Sequence, residues 1–281
     1  MQTYLRNSAA LLLLMAMCLA FTPARRVTNT EAQLTAAPVV VQAAPAQAGM
    51  SFEDQCRADP YAVLHGVLVK SRMEVEGYRC TFVKRERING KLRDREVIAC
   101  DFQESPFAVK FRWLEGKGRA EASLYVAGEN DDQVLIVPAS DLAKRALKFT
   151  GKTYAARSPD SSEAKDAARS PVTQFGMANA LRRTLATWQA AKDRNELKVE
   201  YQGVTAVPEL NGRRCHTFHR TTPTPEAEGV TQSAIYLDAE TRLQVGTVIK
   251  AGDELIAEYF YRDVALNPPF ANDHFSARNL K

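Results

Sequence analysis

Residues 78–102 read YRCTFVKRERINGKLRDREVIACDF, and this stretch decides the fold. Two alternating runs flank Asn89-Gly90, a dipeptide typical of the tight turn in a β-hairpin. Pairing residues whose numbers sum to 180 puts aromatic, aliphatic and cysteine side chains on one face, in the pairs Tyr78–Phe102, Cys80–Cys100 and Phe82–Ile98. A shift of one residue would turn each side chain to the opposite face, so this register is strongly favoured. The stretch predicts a curved antiparallel sheet with an aromatic inner face.

Similar alternating runs, separated by turn signals, predict antiparallel strands along most of the remaining chain. Consecutive hairpins without strand–helix–strand alternation favour one sheet curved around helices. The predicted fold class is therefore α+β, with one curved antiparallel sheet of about eleven strands around two or more helices. The predicted strands are Tyr78–Ile88, Val97–Phe102, Phe107–Leu114, Glu121–Val126, Val134–Val137, Ala146–Phe149, Leu197–Tyr201, Arg213–Arg220, Gln232–Asp238, Gln244–Lys250 and Leu255–Arg262.

Two helices are predicted from capping signals followed by apolar residues at helical spacing. Asp59 can cap the first, with Pro60 at its first position, and its apolar stripe is Leu64, Val67 and Leu68. Ser170 and Pro171 are placed in the same way before the second helix, whose stripe is Phe175, Ala178, Leu181, Leu185 and Trp188. Such stripes are typical of helix faces packed into a core.

The segment Gly151–Ser170 interrupts the predicted sheet. It contains Ser, Ala, Asp and Lys and almost no large apolar residue. This composition predicts a long mobile loop, either a functional lid or a disordered connection.

The N-terminal region predicts export. Residues 1–24 combine Arg6, an apolar run and small residues near Ala24, the pattern of a cleavable signal peptide; a retained anchor is the alternative. Lipid anchoring at Cys18 is not expected, because Met17 stands where lipoprotein processing requires a small residue. Residues 25–50 predict a disordered linker, and residues 51–281 a single domain. These features predict a periplasmic or otherwise extracytoplasmic protein, peripheral rather than integral to the membrane.

Four cysteines remain after the predicted signal is removed, and an even number in an oxidising compartment suggests disulfides. Cys80 and Cys100 form the favoured candidate pair because directly opposed antiparallel residues lie within disulfide reach. Cys56 and Cys215 then form a second candidate pair by elimination. The alternative is that all four are buried free thiols, which pack as small apolar groups.

The sequence has no motif for catalysis, cofactor binding or nucleic-acid binding. The cluster Cys215–His219 lacks further metal ligands at familiar spacing, so no metal site is predicted. No nucleophile elbow, phosphate loop or dinucleotide fingerprint occurs, and no cofactor is expected. The chain has 37 Lys and Arg against 33 Asp and Glu. Interleaved charges, as in Lys84–Arg87, predict a solvated strand face rather than the one-sided basic stripe of a nucleic-acid-binding protein.

The segment Gly77–Leu92 resembles the opening hairpin of an uncharacterised secreted bacterial family, domain of unknown function 1571 (DUF1571). The similarity covers most of Ser51–Leu280. This family in turn resembles the superfamily of lipoprotein carriers and their relatives, the LolA, LolB and RseB-like proteins. The segment Val264–Phe275 also resembles the C-terminal segment of these proteins. Three further stretches fit the DUF1571 family: Pro106–Leu114, Leu124–Val126 and Ser170–Gly176.

The resemblance implies that this sheet is a LolA-like half-barrel: a curved, half-open antiparallel β-barrel of about eleven strands wrapped around two or more helices, with an apolar cavity. It also implies a non-enzymatic envelope protein that binds a lipid, an acyl chain or an acylated protein. A sensor or interaction module with a protein partner in the envelope is one alternative, and a hydrolase with an unrecognised site is another. A concave apolar pocket is the usual form of a small-ligand site, although the same residues can form a packed core. The predicted cavity residues are Tyr78, Phe82, Ile98, Phe102, Phe107, Val109, Phe111 and Trp113.

Overall fold

A computed structural model of the protein describes residues 49–280. They form one twelve-stranded antiparallel sheet, accompanied by five α-helices. The predicted signal peptide and all but the last two residues of the predicted linker lie outside the described residues. The predicted fold class is confirmed.

The strands follow one another mostly as hairpins. Their bounds are β1 Gly77–Ile88, β2 Lys91–Leu92, β3 Glu96–Gln103, β4 Ala108–Glu115, β5 Ala120–Val126, β6 Val134–Pro138, β7 Ala155–Arg157, β8 Lys198–Val207, β9 Arg213–Thr221, β10 Gln232–Asp238, β11 Gln244–Ala251 and β12 Glu254–Leu266. The order across the sheet is β7-β6-β5-β4-β3-β1-β12-β11-β10-β9-β8, with β2 paired only to β1. Because β7 and β8 are the two ends of this order, the sheet is open.

Strand β1 joins the two halves of the sheet. On one side it pairs with β3 in the predicted register, which includes Cys80 opposite Cys100. On the other side it pairs with β12, the last strand in the chain, so that Phe82 lies opposite Tyr261. The side chains of β1 with even numbers from Tyr78 to Ile88 are all buried, and the hairpin pattern predicts this for the apolar ones among them.

The helices are α1 Phe52–Ala58, α2 Pro60–Glu74, α3 Asp141–Phe149, α4 Ser162–Ala167 and α5 Met177–Asp193. Helix α2 begins as predicted: Pro60 occupies the first turn, and the side chain of Asp59 accepts a hydrogen bond from the Ala62 amide at 2.9 Å. Helices α2 and α5 pack against each other and against strands β9 and β10. We call this packing the helix-side cluster, whose central residues are Leu64, Leu181, Trp188, Phe218 and Leu237.

The second predicted helix begins later than its capping signals indicate. Val172–Gln174 form only a short 3-10 turn, and α5 starts at Met177. The residue before it, Gly176, has φ of 115°, a conformation that glycine adopts without strain. A Cβ atom at this position would lie 3.1 Å from the Phe102 ring. The chain therefore turns at Gly176, and Phe175 lies outside the helix.

Two other predictions of local structure are wrong. Ala146–Phe149 is the end of α3 rather than a strand, because Ser140 caps a helix by accepting a hydrogen bond from the Ala143 amide. The predicted loop Gly151–Ser170 contains β7 and α4, and the latter is capped in the same manner by Ser161. The predicted mobility of this segment stays a prediction.

Replacing Gly176 by Ala is expected to destabilise the protein by about 1–3 kcal/mol, because alanine is strained at positive φ and its Cβ would crowd Phe102. Urea unfolding measures the change. The matched control is Gly66→Ala in the exposed face of α2, where a Cβ meets no atom within 4 Å. The control is expected to gain up to about 1 kcal/mol from helix propensity. Equal effects at both positions would contradict the role given to Gly176.

Candidate functional site

All eight predicted cavity residues lie in one cluster on the inner face of the sheet. They come from β1, β3, β4 and the turn before β4. Other rings join them from β5, from β12 and from the segment before α5. We call this group the aromatic cluster: Tyr78, Phe82, Ile98, Phe102, Phe107, Val109, Phe111, Trp113, Tyr125, Phe175, Tyr259 and Tyr261.

Burial changes across the aromatic cluster. Tyr78 and Phe102 are fully buried and stack with their ring centroids 4.8 Å apart. Phe111 and Trp113, on β4, are only partly buried, and their rings meet edge to face at 6.0 Å. The cluster thus has a closed floor and a partly exposed rim.

The side chain of Phe175 occupies the middle of this cluster. Its ring meets those of Phe111 and Phe82 edge to face, with centroids 4.9 Å and 5.1 Å apart. The rings of Phe102 and Tyr261 lie at 5.9 Å and 6.0 Å. The other rings of the cluster lie in the sheet or in its connecting turns, whereas Phe175 comes from the short segment between α4 and α5. The helical spacing between Phe175 and Ala178 predicts that Phe175 belongs to a helix stripe, and this prediction is wrong because α5 starts at Met177.

A buried charged group adjoins the aromatic cluster, on the same face of β1. Lys84 and Glu86 are only 8% and 4% exposed, so the prediction of a solvated face for Lys84–Arg87 is wrong for these two. The Lys84 Nζ lies 2.7 Å from Glu86 Oε2 and 3.4 Å from Glu96 Oε1. Their even numbers, shared with Tyr78 and Phe82, were the signal that could have placed them inside.

Aromatic residues of the rim are hydrogen-bonded to these charges. The Tyr259 hydroxyl donates to Glu86 Oε1 at 2.7 Å, and the Trp113 indole N–H donates to Glu96. Burial lowers the pKa of Lys84, but the carboxylates of Glu86 and Glu96 outweigh it, and the net pKa is raised. Burial and Glu86 also raise the pKa of Tyr259. Lys84 is therefore cationic and Tyr259 protonated at neutral pH.

The segment that carries Phe175 is tied to the tip of the β1 hairpin by polar contacts. The Arg169 backbone N–H donates to Glu86 Oε1 at 3.4 Å, and its guanidinium donates to the Arg87 carbonyl at 3.3 Å and pairs with Glu228. The Asn89 side chain donates to Asp166 at 3.1 Å. The contacts at this end are thus polar, whereas Phe175 is held by apolar packing.

Neither predicted disulfide is formed, because all four cysteines of the described residues are buried free thiols. Cys56 lies in the helix-side cluster, whereas Cys215 packs with Val83 and Phe260. Cys80 and Cys100 are opposite each other as predicted. Burial and a hydrogen bond with Cys80 raise the pKa of Cys100.

His216 and His274 both make contacts that belong to the packing of the fold. His216 Nδ1 is 2.7 Å from the Tyr201 hydroxyl, its ring packs on Phe52 of α1, and burial lowers its pKa. His274 Nε2 lies 2.8 Å from Asp101 on the outer face of the sheet. This contact holds the C-terminal segment against β3.

Two surface clefts of about 400 and 490 Å³ lie elsewhere, and no residue of the aromatic cluster lines them. The first is between the start of α2 and the end of α5, and includes Tyr61 and Lys192. The second is between α3 and β7, and includes Leu147 and Lys152. Within residues 49–280, no helix is both long and apolar enough to cross a bilayer.

The family described as "Protein of unknown function (DUF1571)" matches residues 75–281, which include the whole sheet. The chain belongs to the DUF1571 family. The glycines in two of the stretches that indicated this family have structural reasons, since Cβ atoms at Gly77 and Gly176 would crowd Phe102. No curated protein is significantly similar to this DUF1571 protein.

Several solved structures overlap with this DUF1571 protein at low sequence identity. The Mycobacterium tuberculosis lipoprotein LppX is 13% identical, with 75% of this chain and 98% of LppX covered and a TM-score of 0.43. A LolA superfamily protein from Nitrosomonas europaea is 8% identical, with 77% and 99% covered and a TM-score of 0.31. An uncharacterised conserved protein from Thermus thermophilus is 10% identical, with 75% and 91% covered and a TM-score of 0.40.

Replacing Lys84 by Met is expected to cost about 3–5 kcal/mol, because it leaves the Glu86 and Glu96 carboxylates without their shared cation. Chemical denaturation measures this loss. The control, Lys198→Met, changes an exposed lysine at the start of β8 and is expected to stay within about 0.5 kcal/mol of the parent. A Lys84 loss below about 1 kcal/mol would show that the ion pairs are not coupled to folding.

Thiol titration tests the state of the cysteines in residues 25–281. Burial raises the pKa of Cys56 and of Cys215 to about 12, and a protonated, buried thiol reacts slowly. The thiols of the folded protein are therefore expected to show almost no reaction with Ellman's reagent. After unfolding, all four thiols are expected to react. Two reactive thiols after unfolding would contradict the structure and restore one disulfide.

Proposed function

We propose that this DUF1571 protein is an exported, non-enzymatic protein of the cell envelope that binds an apolar chain, such as that of a lipid or acylated protein, in the aromatic cluster. The observation that carries the proposal is the position of Phe175. A single ring from a short connecting segment fills the space between rings that the sheet supplies. We infer that the ligand occupies this space when Phe175 leaves it.

The free energy gained by burying an apolar chain can offset the free energy lost when Phe175 is withdrawn. Phe175 is only partly buried, so withdrawing its side chain costs at most the roughly 1.5–3 kcal/mol of a fully buried Phe, and each chain methylene buried in its place contributes about 0.8 kcal/mol. A ligand needs only about two to four buried methylenes to offset Phe175, and a longer acyl chain gives a net gain. The surrounding rings of β1, β3 and β4 keep their positions because strand pairing fixes their backbones.

The charged group beside the cluster suits an amphiphile rather than a plain hydrocarbon. Lys84 and Glu86 lie at the end of the apolar surface nearest the hairpin tip. A ligand whose polar head reaches these side chains would satisfy both ends of the site. Their mutual ion pairs keep them compensated when the site holds only Phe175.

A protein-interaction module is the second candidate function. It is favoured by an exposed apolar pair on α2, where Met73 is 80% exposed and Val69 lies one turn before it. Exposed apolar residues that adjoin each other can mark an interface. This candidate predicts a filled aromatic core that takes up no ligand.

Two substitutions distinguish a ligand site from a packed core by effects of opposite sign. Phe175→Ala is expected to raise the affinity for a fluorescent fatty acid by up to roughly tenfold, because the ligand no longer displaces the partly buried Phe175 ring. Phe111→Ala is expected to lower the affinity, because it removes part of the wall. Fluorescence titration measures both affinities.

The matched control is Phe218→Leu, which perturbs the helix-side cluster and is expected to change stability without changing probe affinity. Circular dichroism at the titration temperature establishes that each variant is folded. If Phe175→Ala and Phe111→Ala both reduce stability and neither changes probe binding, the aromatic cluster is a packed core and the proposal fails.

A further inference from the structure

Helix α3 presents an apolar pair to solvent. Leu142 is 78% exposed and Phe149 is 94% exposed. They are seven residues apart, and therefore lie on one face of the helix two turns from each other. The opposite face rests against β6, with Ala143 and Leu147 partly buried. The described fold thus leaves the Leu142 and Phe149 side chains uncovered.

Basic side chains surround this apolar pair. Residues 141–152 contain four basic residues and one acidic residue, Asp141. Lys144 is paired with Glu121 and Asp141. Within residues 49–280, no ion pair involves the other three, which are Arg145, Lys148 and Lys152. The exposed side of α3 therefore has an excess of positive charge next to its two apolar side chains.

We propose that α3 docks the protein on an anionic membrane surface. Leu142 and Phe149 enter the boundary between headgroups and acyl chains, while Arg145, Lys148 and Lys152 contact lipid phosphates. This combination of apolar residues on one face and flanking Lys and Arg is the pattern of interfacial helices. Each basic side chain close to an anionic surface strengthens binding by roughly fivefold.

A membrane fits this surface better than a protein partner. The two apolar side chains protrude, and they are separated by the exposed Arg145 and Ala146. A protein would need a matching pocket for each protruding side chain, whereas a fluid lipid interface accepts both without a preformed shape. The positive charge then selects anionic lipids over neutral ones.

Membrane docking through α3 is independent of the aromatic cluster. None of the residues of α3 belongs to that cluster, so docking does not require a bound ligand. Docking would nevertheless place the domain next to the source of an apolar ligand.

Vesicle cosedimentation of residues 25–281, which omit the predicted signal, tests the proposal. The protein is expected to bind vesicles of phosphatidylcholine and phosphatidylglycerol at low salt, and to bind much more weakly to pure phosphatidylcholine. Leu142→Ser together with Phe149→Ser is expected to weaken binding by roughly tenfold or more. Arg145→Gln together with Lys148→Gln is expected to reduce the preference for phosphatidylglycerol and its dependence on salt.

Leu114→Ser is the matched control, because Leu114 is an exposed apolar residue on strand β4 rather than on α3. It should bind as the parent does. Equal binding by the parent and the Leu142/Phe149 variant, or no binding of the parent to anionic vesicles, would overturn the proposal. The variant should also take up the fluorescent fatty acid as the parent does. Failure of membrane docking and failure of the proposed ligand site are thereby observed separately.

Discussion

The register of β1 between β3 and β12 is the constraint on which the rest of the structure depends. It places Tyr78, Phe82, Lys84 and Glu86 on the inner face. A slip of one residue would exchange these for their neighbours, and Arg79 would then lose its outer partner Asp101. Arginines without partners would be buried at a cost of several kcal/mol each. Contacts on both faces of β1 therefore fix its register.

The same register places apolar and charged chemistry side by side. Phe82 lies among rings, whereas Lys84 lies between Glu86 and Glu96. The segment before α5 contacts both regions, through Phe175 in the first and Arg169 in the second. Gly176 makes this possible, since its positive φ ends the segment against Phe102 and starts the helix. The segment before α5 thus covers part of the inner face of the sheet, although it is not a strand of the sheet.

The sequence predicts those features of the fold that depend on residues close together in the chain. The hairpin register, most of the strand bounds and the start of α2 follow from alternation, turn chemistry and capping. The eight predicted cavity residues lie together because three adjacent strands supply most of them. Tyr259 and Tyr261 were not predicted, since no local pattern indicates that β12 pairs with β1 across most of the chain.

The other wrong predictions also concern features that local sequence does not decide. The inward direction of Lys84 and Glu86 is decided by strand parity and by long-range partners, against the usual preference of charges for water. The start of α5 is decided by tertiary contacts of Phe175 and Gly176 rather than by the Ser-Pro capping signal. The prediction of a strand at Ala146–Phe149 is wrong because these last residues of α3, taken alone, fit a short apolar strand as well as a helix.

In the two proposals, the aromatic cluster and α3 have different tasks. The cluster would hold an apolar chain, and α3 would bring the protein to the surface from which such a chain comes. The most direct test of the central claim is organic extraction and mass spectrometry of the protein purified without detergent from its own cell envelope. We expect a lipid or acylated species in stoichiometric amount. A protein that carries no such species, and that also takes up no fluorescent fatty acid, would contradict this claim.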